Sequence, residues 1–196
     1  MSERLYPTDD HVLGVSASEQ SVVHRHYRRY ETAVSLLNIQ KGRWLDIACG
    51  SGYGSEVIVR AGAAESYVGI DRARRAILYA TSHYADEVRT FMLDDAMRFE
   101  GGPFDAIVSV ETIEHLPEYF QQTYVRRLLR MLRPSGALVI SFPVGKGKTT
   151  NPYHLHEPTV DEVKAYCGDG LKMLVVEDVP DGTYGPFEQA FAVACP

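Results

Sequence analysis

The chain has 196 residues, is 45% hydrophobic and carries a formal net charge of −6. That size and composition suit one domain with a full core, and the acidic balance opposes a protein that coats nucleic acid nonspecifically. No apolar run approaches the roughly 20 residues that span a bilayer, and the polar first twenty residues lack the apolar segment of a secretory signal. Cys49, Cys167 and Cys195 stand far apart, without metal-ligand spacing and in odd number, which points to a reducing cytoplasm.

In chain order, residues 1–20 read as a flexible arm and VVHRHYRRYETAVSLLNI (22–39) as an amphipathic helix. From residue 40 a single core of alternating elements runs to residue 196. WLDIA (44–48) is a short apolar strand, and YGSEVIVRAG (53–62) a helix closed by Gly62. SYVGID (66–71) is a strand, RARRAILYATSHYA (72–85) a helix and RTFMLD (89–94) a strand. FDAIVSV (104–110) is a strand, followed by the helix PEYFQQTYVRRLLRML (117–132). There Phe120, Tyr124, Leu128 and Met131 fall at helical spacing, and Pro134 ends it. GALVISF (136–142) is a strand and TVDEVKAYCG (159–168) a helix. LKMLVVEDV (171–179) and QAFAVAC (189–195) are strands joined by a Pro/Gly-rich turn. Alternation predicts an α/β fold with a mostly parallel sheet covered on both faces. The last two strands lack a helix between them and must pair antiparallel.

The stretch WLDIACGSGYGS (44–55) carries the first functional signal. Such a sheet binds ligands at the carboxyl ends of its strands, beside strand 1. Gly50, Gly52 and Gly54 fall there, where bare backbone admits a close ligand. The spacing is GxGxG rather than GxGxxG, and no GK[ST] follows it. Asp46 just upstream would repel a pyrophosphate, whereas S-adenosylmethionine has no phosphate and carries a sulfonium and an ammonium. Asp46 can accept from that ammonium or act through water. Asp71 ends the second strand, where a carboxylate takes both ribose hydroxyls; dinucleotide enzymes share this feature. Asp95 is placed to accept from the adenine amino group, with the Ala96 amide reaching the ring and Arg72 stacking on its face.

In order and spacing these motifs resemble the class I S-adenosylmethionine-dependent methyltransferases, over about residues 25–195. LDIACGSGYGS matches the family's glycine motif, VGID its ribose acid, DDA its adenine motif, and FDAIVSVETIEHL with LRPSGALVISFP its fourth and fifth strands. The resemblance implies a Rossmann-like, seven-stranded, mostly parallel sheet whose last strand is antiparallel. HYRRYETA is similar to an N-terminal RYxxA element of some members, which gives Arg29 a role near the cofactor carboxylate. The alternative for Arg29 is a solvated helix face.

SVETIEHLP (109–117) follows the fourth strand and faces the same crevice. Methyl transfer needs an acceptor held in line and, for an alcohol, a group that removes its proton. His115 is the first candidate base. Were 111–115 a helical turn, Glu111, Glu114 and His115 would share one face and could hold a divalent cation. NPYHLHEPT (151–159) can bring His154 or His156 to the same mouth. The ExxEH…H arrangement resembles small-RNA terminal 2′-O-methyltransferases and ubiquinone-pathway O-methyltransferases. In those, such residues bind metal, and His154 is the match. In metal-free relatives with this EH pair, Glu111 lies near the cofactor, Glu114 bonds to loop backbone and His115 packs or caps. All three roles stay open.

Lys146 and Lys148 in PVGKGKTTNPYHLHE (143–157) could attract an anionic group or merely solubilise the loop. NPYHLHEPT also resembles bacterial methyltransferases that act on sugars and cell-surface glycans. The expectation is therefore O-methylation of a small molecule or saccharide, with no membrane span and no bulk nucleic-acid partner. The rivals are an RNA-terminal 2′-O-methyltransferase with a divalent metal, a catalytically silent S-adenosylmethionine-binding domain and, more distantly, a nicotinamide dehydrogenase.

Overall fold

A computed structural model describes residues 17–39, 41–145, 149, 151–179 and 186–196, with side chains from residue 23 onward. Its elements run α1 (Ala17–Leu37), β1 (Gly42–Ile47), α2 (Gly54–Arg60), β2 (Ala64–Asp71), α3 (Arg74–Tyr84), β3 (Arg89–Leu93) and β4 (Phe104–Val110). They continue with α4 (Glu118–Arg130), β5 (Leu132–Pro143), α5 (Val160–Cys167), β6 (Leu171–Val179) and β7 (Phe187–Ala194). The strands form one seven-stranded sheet in the order β3-β2-β1-β4-β5-β7-β6. The pairs β1–β2, β2–β3, β1–β4 and β4–β5 are parallel, while β7 pairs antiparallel with both β5 and β6. The Rossmann-like sheet with an antiparallel last strand is thus present.

Side chains alternate across the sheet, as a strand's period of two requires. Trp44 of β1 and Val108 of β4 meet Tyr30, Ala33 and Leu37 of α1, Ile58 of α2 and Ala80 of α3. Leu45, Ile47 and Ile107 face the other side, against Tyr124, Val125 and Leu128 of α4 and Val163 of α5. Both layers bury strand-centre residues completely, and each large apolar side chain so buried contributes ~1.5–3 kcal/mol. Trp44 also donates its indole N–H to the Ala63 carbonyl at 2.8 Å, which answers its one polar atom.

Three local features depart from expectation. Helix α1 starts at Ala17, inside the segment read as an arm. Residues 1–16 lie outside the described residues. In α4 the buried positions are Gln121, Tyr124, Val125 and Leu128, whereas Phe120 is exposed. Pro134 does not end that helix; β5 already begins at Leu132, and its register against β4 shifts between Phe104 and Ala106. Pro134 has no N–H to give a regular ladder, and this irregular stretch tolerates it. Helix α5 opens with a capping box: the Thr159 hydroxyl accepts from the Glu162 amide, and the Glu162 carboxylate accepts from the Thr159 amide.

Candidate active site

The strand order reverses between β1 and β4, so the carboxyl ends of β1, β2 and β4 border the switch-point crevice. The loop after β1 is left-handed at Ala48, Gly50 and Gly52, with φ of 62°, 57° and 84°. Its three glycines serve different ends. A Cβ on Gly52 would come within 2.7 Å of Ala80 and 2.8 Å of Phe91. One on Gly54 would strike the Tyr30 ring. Only at Gly50 would it meet no described atom within 4 Å. Gly52 and Gly54 thus let the protein close on itself, and Gly50 is the bare backbone that looks outward.

Asp71 ends β2 and is 4% exposed. Its carboxylate accepts from the Gly50 amide at 3.1 Å and from the Ala73 amide at 2.7 Å. The same residue offered for a ligand's hydroxyls therefore also sets the loop. The Asp94 amide donates to the Asp71 carbonyl at 3.2 Å, which ties the end of β3 to the end of β2. Asp95 accepts from the Met97 amide at 2.8 Å and is half-buried, as is Ala96. Arg72 is exposed beside them.

Asp46 is fully buried in β1. Its carboxylate accepts from the Tyr67 hydroxyl at 2.7 Å and the Tyr30 hydroxyl at 3.0 Å. Burial raises its pKa to about 7; the two tyrosines oppose that shift and Asp71 adds to it. Asp46 stands beneath the loop as a clamp between α1 and β2. His26 adds a second tie, with Nδ1 at 3.0 Å from the Tyr53 hydroxyl; burial and the arginines Arg29 and Arg25 lower its pKa to about 3, so it stays neutral.

Arg29 is not a solvated helix face. Its Nη2 lies 3.1 Å from Glu111 Oε2, with side chains 14% and 19% exposed. Gln189 of β7 bridges the pair: its amide donates to Glu111 Oε1 at 2.8 Å, and its carbonyl accepts from Arg29 Nε at 3.3 Å. The Ser141 hydroxyl of β5 donates to the same carboxylate at 3.0 Å. Sequence reasoning missed Gln189 and Ser141, although a glutamine opening QAFAVAC was a visible anomaly in an apolar strand.

The predicted Glu111, Glu114 and His115 face does not form. Glu111 has φ of 49°, and only Ile113–His115 make a short 3₁₀ turn. That backbone turns Glu111 toward Arg29 and sends Glu114 and His115 elsewhere. Glu114 is fully buried. It gathers with His115 and His154, one ligand-capable atom from each lying within 4.8 Å of the others. The two imidazoles meet edge to face at 5.1 Å.

Hydrogen bonding fixes the tautomers here. His115 Nδ1 lies 3.1 Å from the Tyr153 carbonyl, which can only accept, so Nδ1 carries a proton and in the neutral imidazole Nε2 holds the lone pair. Asn151 accepts from the Tyr153 amide through Oδ1 at 2.9 Å, so its NH₂ faces His154 Nε2 at 2.8 Å. His154 Nδ1 then donates to Glu157 at 2.6 Å, and Thr149 donates to that same carboxylate. His156 joins a different group, 3.0 Å from Glu162. Lys146 and Lys148 lie outside the described residues.

A family model described as a methyltransferase domain matches residues 22–158. A Mycobacterium tuberculosis protein, named as a probable S-adenosylmethionine-dependent methyltransferase, is 32% identical over 132 residues, which cover 64% of this chain and 46% of that protein. A ubiquinone biosynthesis O-methyltransferase from Xanthomonas oryzae is 30% identical over 118 residues, covering 58% of this chain and 48% of its own length. The match therefore spans about half of each of these curated relatives. Among solved structures, magnesium protoporphyrin IX methyltransferase from Synechocystis with bound S-adenosylhomocysteine superposes with a TM-score of 0.73. It is 17% identical, over 93% of this chain and 89% of that one. The N-methyltransferase NodS from Bradyrhizobium japonicum, also with S-adenosylhomocysteine, gives 0.71 at 20% identity over 96% and 93%. These two likenesses establish the fold, and the domain match over residues 22–158 establishes the family: the chain belongs to the methyltransferase domain family.

Proposed function

We propose that this chain is an S-adenosylmethionine-dependent methyltransferase that methylates a hydroxyl of a small-molecule acceptor. The observation that carries the hydroxyl reading is the His115 geometry: with Nδ1 donating to the Tyr153 carbonyl, Nε2 is the basic nitrogen. Family membership, and relatives named as O-methyltransferases, support the rest.

The residues present fit such a cofactor. Gly50 offers open backbone, and Asp71, Asp95 and Glu111 line the crevice with carboxylates that suit a cationic nucleoside. Asp71 would take the ribose hydroxyls while holding the loop, Asp95 and Ala96 the adenine edge, and Arg72 its face. Arg29, oriented by Glu111 and Gln189, would meet the cofactor carboxylate. Asp46 would act from beneath, through water or its field. The bound cofactor supplies a methyl group already activated by positive sulfur. The protein's own part is to position the acceptor, exclude water and receive the acceptor proton at His115 Nε2.

A specific observation favours a second reading. Both His115 and His154 donate Nδ1–H to an oxygen, which leaves Nε2 as the ligand atom, as in metal-binding histidines. With the buried Glu114 they would hold a divalent cation, which would bind the acceptor oxygen and lower its pKa. Against it, the Asn151 amide already donates to His154 Nε2.

The test is calorimetric titration with S-adenosylhomocysteine, then label transfer from methyl-labelled cofactor to phenols, alcohols, saccharides, amines and RNA ends. Binding with transfer to hydroxyls is expected. Transfer confined to RNA ends would favour the 2′-O-methyltransferase alternative, and binding without turnover a silent domain. Failure to bind would end the reading.

A further inference from the structure

Four of the chain's large exposed apolar side chains stand on two segments that join at the His115 corner. Tyr119 is 75% exposed, Leu155 64%, Phe120 44% and Tyr153 40%. The segments are fixed to one another. Tyr153 accepts from the His115 ring, and the Leu155 amide donates to the Glu114 carbonyl at 2.9 Å. The rings of Tyr119 and Phe120 lie 4.6 Å apart. Apolar residues scattered singly over a surface need no explanation, but a group of them at the mouth of a site marks a contact surface.

Among the described residues, these two segments themselves carry charge of one sign, and the Glu111 carboxylate is answered by Arg29 of α1. Glu114, Glu118 and Glu157 belong to residues 111–120 and 149–158, and Glu162 stands 3.0 Å from His156. Neither segment contains a lysine or an arginine. Among the described residues of these two segments, a phosphate would meet carboxylates with only imidazoles to offset them. A neutral body would instead cover the exposed rings and the leucine.

We propose that the acceptor is a neutral hydroxylated molecule with an aromatic or hydrocarbon body, and not a phosphorylated sugar or an RNA end. This rests on the methyltransferase reading above. The apolar rim binds the body, and the hydroxyl is presented to His115. Lys146 and Lys148, in the neighbouring segment, are the residues that would oppose this selectivity.

The experiment measures binding rather than turnover. The full chain, loaded with S-adenosylhomocysteine, is titrated with 4-alkylphenols of increasing chain length, with glucose, with UDP-glucose and with a short RNA. Each methylene buried should tighten phenol binding about fourfold at most. The gain should stop once the rim is covered. Phe120→Ser with Leu155→Asp should flatten the series while the affinity for S-adenosylhomocysteine is unchanged. A flat series in the unaltered chain, or tighter binding of glucose, UDP-glucose or RNA than of the longer phenols, overturns the proposal. Loss of S-adenosylhomocysteine binding in the unaltered chain would overturn it too, but by removing the reading on which it stands. The first titration separates the two failures.

Discussion

Arg29 Nη2 and Glu111 Oε2 stand 3.1 Å apart, which joins the N-terminal helix to the residue that follows β4. The contact is mostly shielded from water, and Gln189 and Ser141 both donate to the other carboxylate oxygen, Oε1. A paired charge in this setting is held to one orientation, because removing either partner leaves the other buried without compensation.

Arg29→Ala should weaken S-adenosylhomocysteine binding by about ten- to a hundredfold, one charge-assisted hydrogen bond being worth ~1.5–3 kcal/mol. Gln189→Leu should weaken it several-fold by freeing Arg29 to rotate. Calorimetric titration measures both, and unchanged affinity in Arg29→Ala would remove this arginine from the cofactor site.

Asp71→Ala should lose affinity by a similar factor and also lower stability by ~1–3 kcal/mol, since two backbone amides lose their acceptor. Urea denaturation alongside the binding titration separates the two effects. Full native stability in the variant would contradict the loop-setting role.

The glycines of the loop should divide by experiment as they do by geometry. Gly54→Ala forces a methyl group into the Tyr30 ring, and should cost ~1–3 kcal/mol of stability. Gly50→Ala meets no such wall and pays only for its φ of 57°, ~1–2 kcal/mol, but should weaken cofactor binding. Thermal melts with and without S-adenosylhomocysteine would show this. Equal ligand stabilisation in both variants would place the ligand away from Gly50.

Asp46 predicts a pH signature. Burial raises its pKa from 3.8 to about 7. Below pH 3.8 folded and unfolded chains both hold the proton; up to about pH 7 only the folded chain does. The group's contribution to stability therefore falls as pH rises through that window, by up to ~1.4 kcal/mol per pH unit, and levels off above it. Asp46→Asn removes the titration. Its stability relative to the unaltered chain should climb between pH 4 and 7 and then stay level, and a constant difference would put the titration elsewhere.

His115→Ala should cut kcat by about 10²–10⁴ with little change in cofactor affinity. Activity should survive a chelator, because the Asn151 amide occupies the His154 nitrogen that a cation would need. Loss on chelation, restored by Mg²⁺ or Mn²⁺, would instead favour the metal reading.

Periodicity and breaker residues were enough to read β4 and β6 to the residue, and the acid at the end of β2 was visible as VGID. What remained hidden depended on side-chain direction. A single positive φ at Glu111 separates it from Glu114 and His115, and no spacing rule anticipates that bend. The start of α1 was invisible because ASEQ carries no apolar repeat. Gln189 looked like an ordinary strand residue because its partners, Arg29 of α1 and Glu111 just after β4, are 160 and 78 positions away.

Gln121 is fully buried in α4, and its side-chain NH₂ shares two hydrogens among the carbonyls of Ile113, Leu116 and His156 at 2.9, 3.1 and 2.8 Å. That staple holds the histidine turn and the distal loop as one rigid bracket, whatever stands on their outer surface. Tyr119, Phe120 and Leu155 are free to drift in evolution, or to be swapped by an engineer, without disturbing the imidazoles. Selectivity and reactivity here are separable traits, and a library confined to those three positions is the natural way to retarget this scaffold.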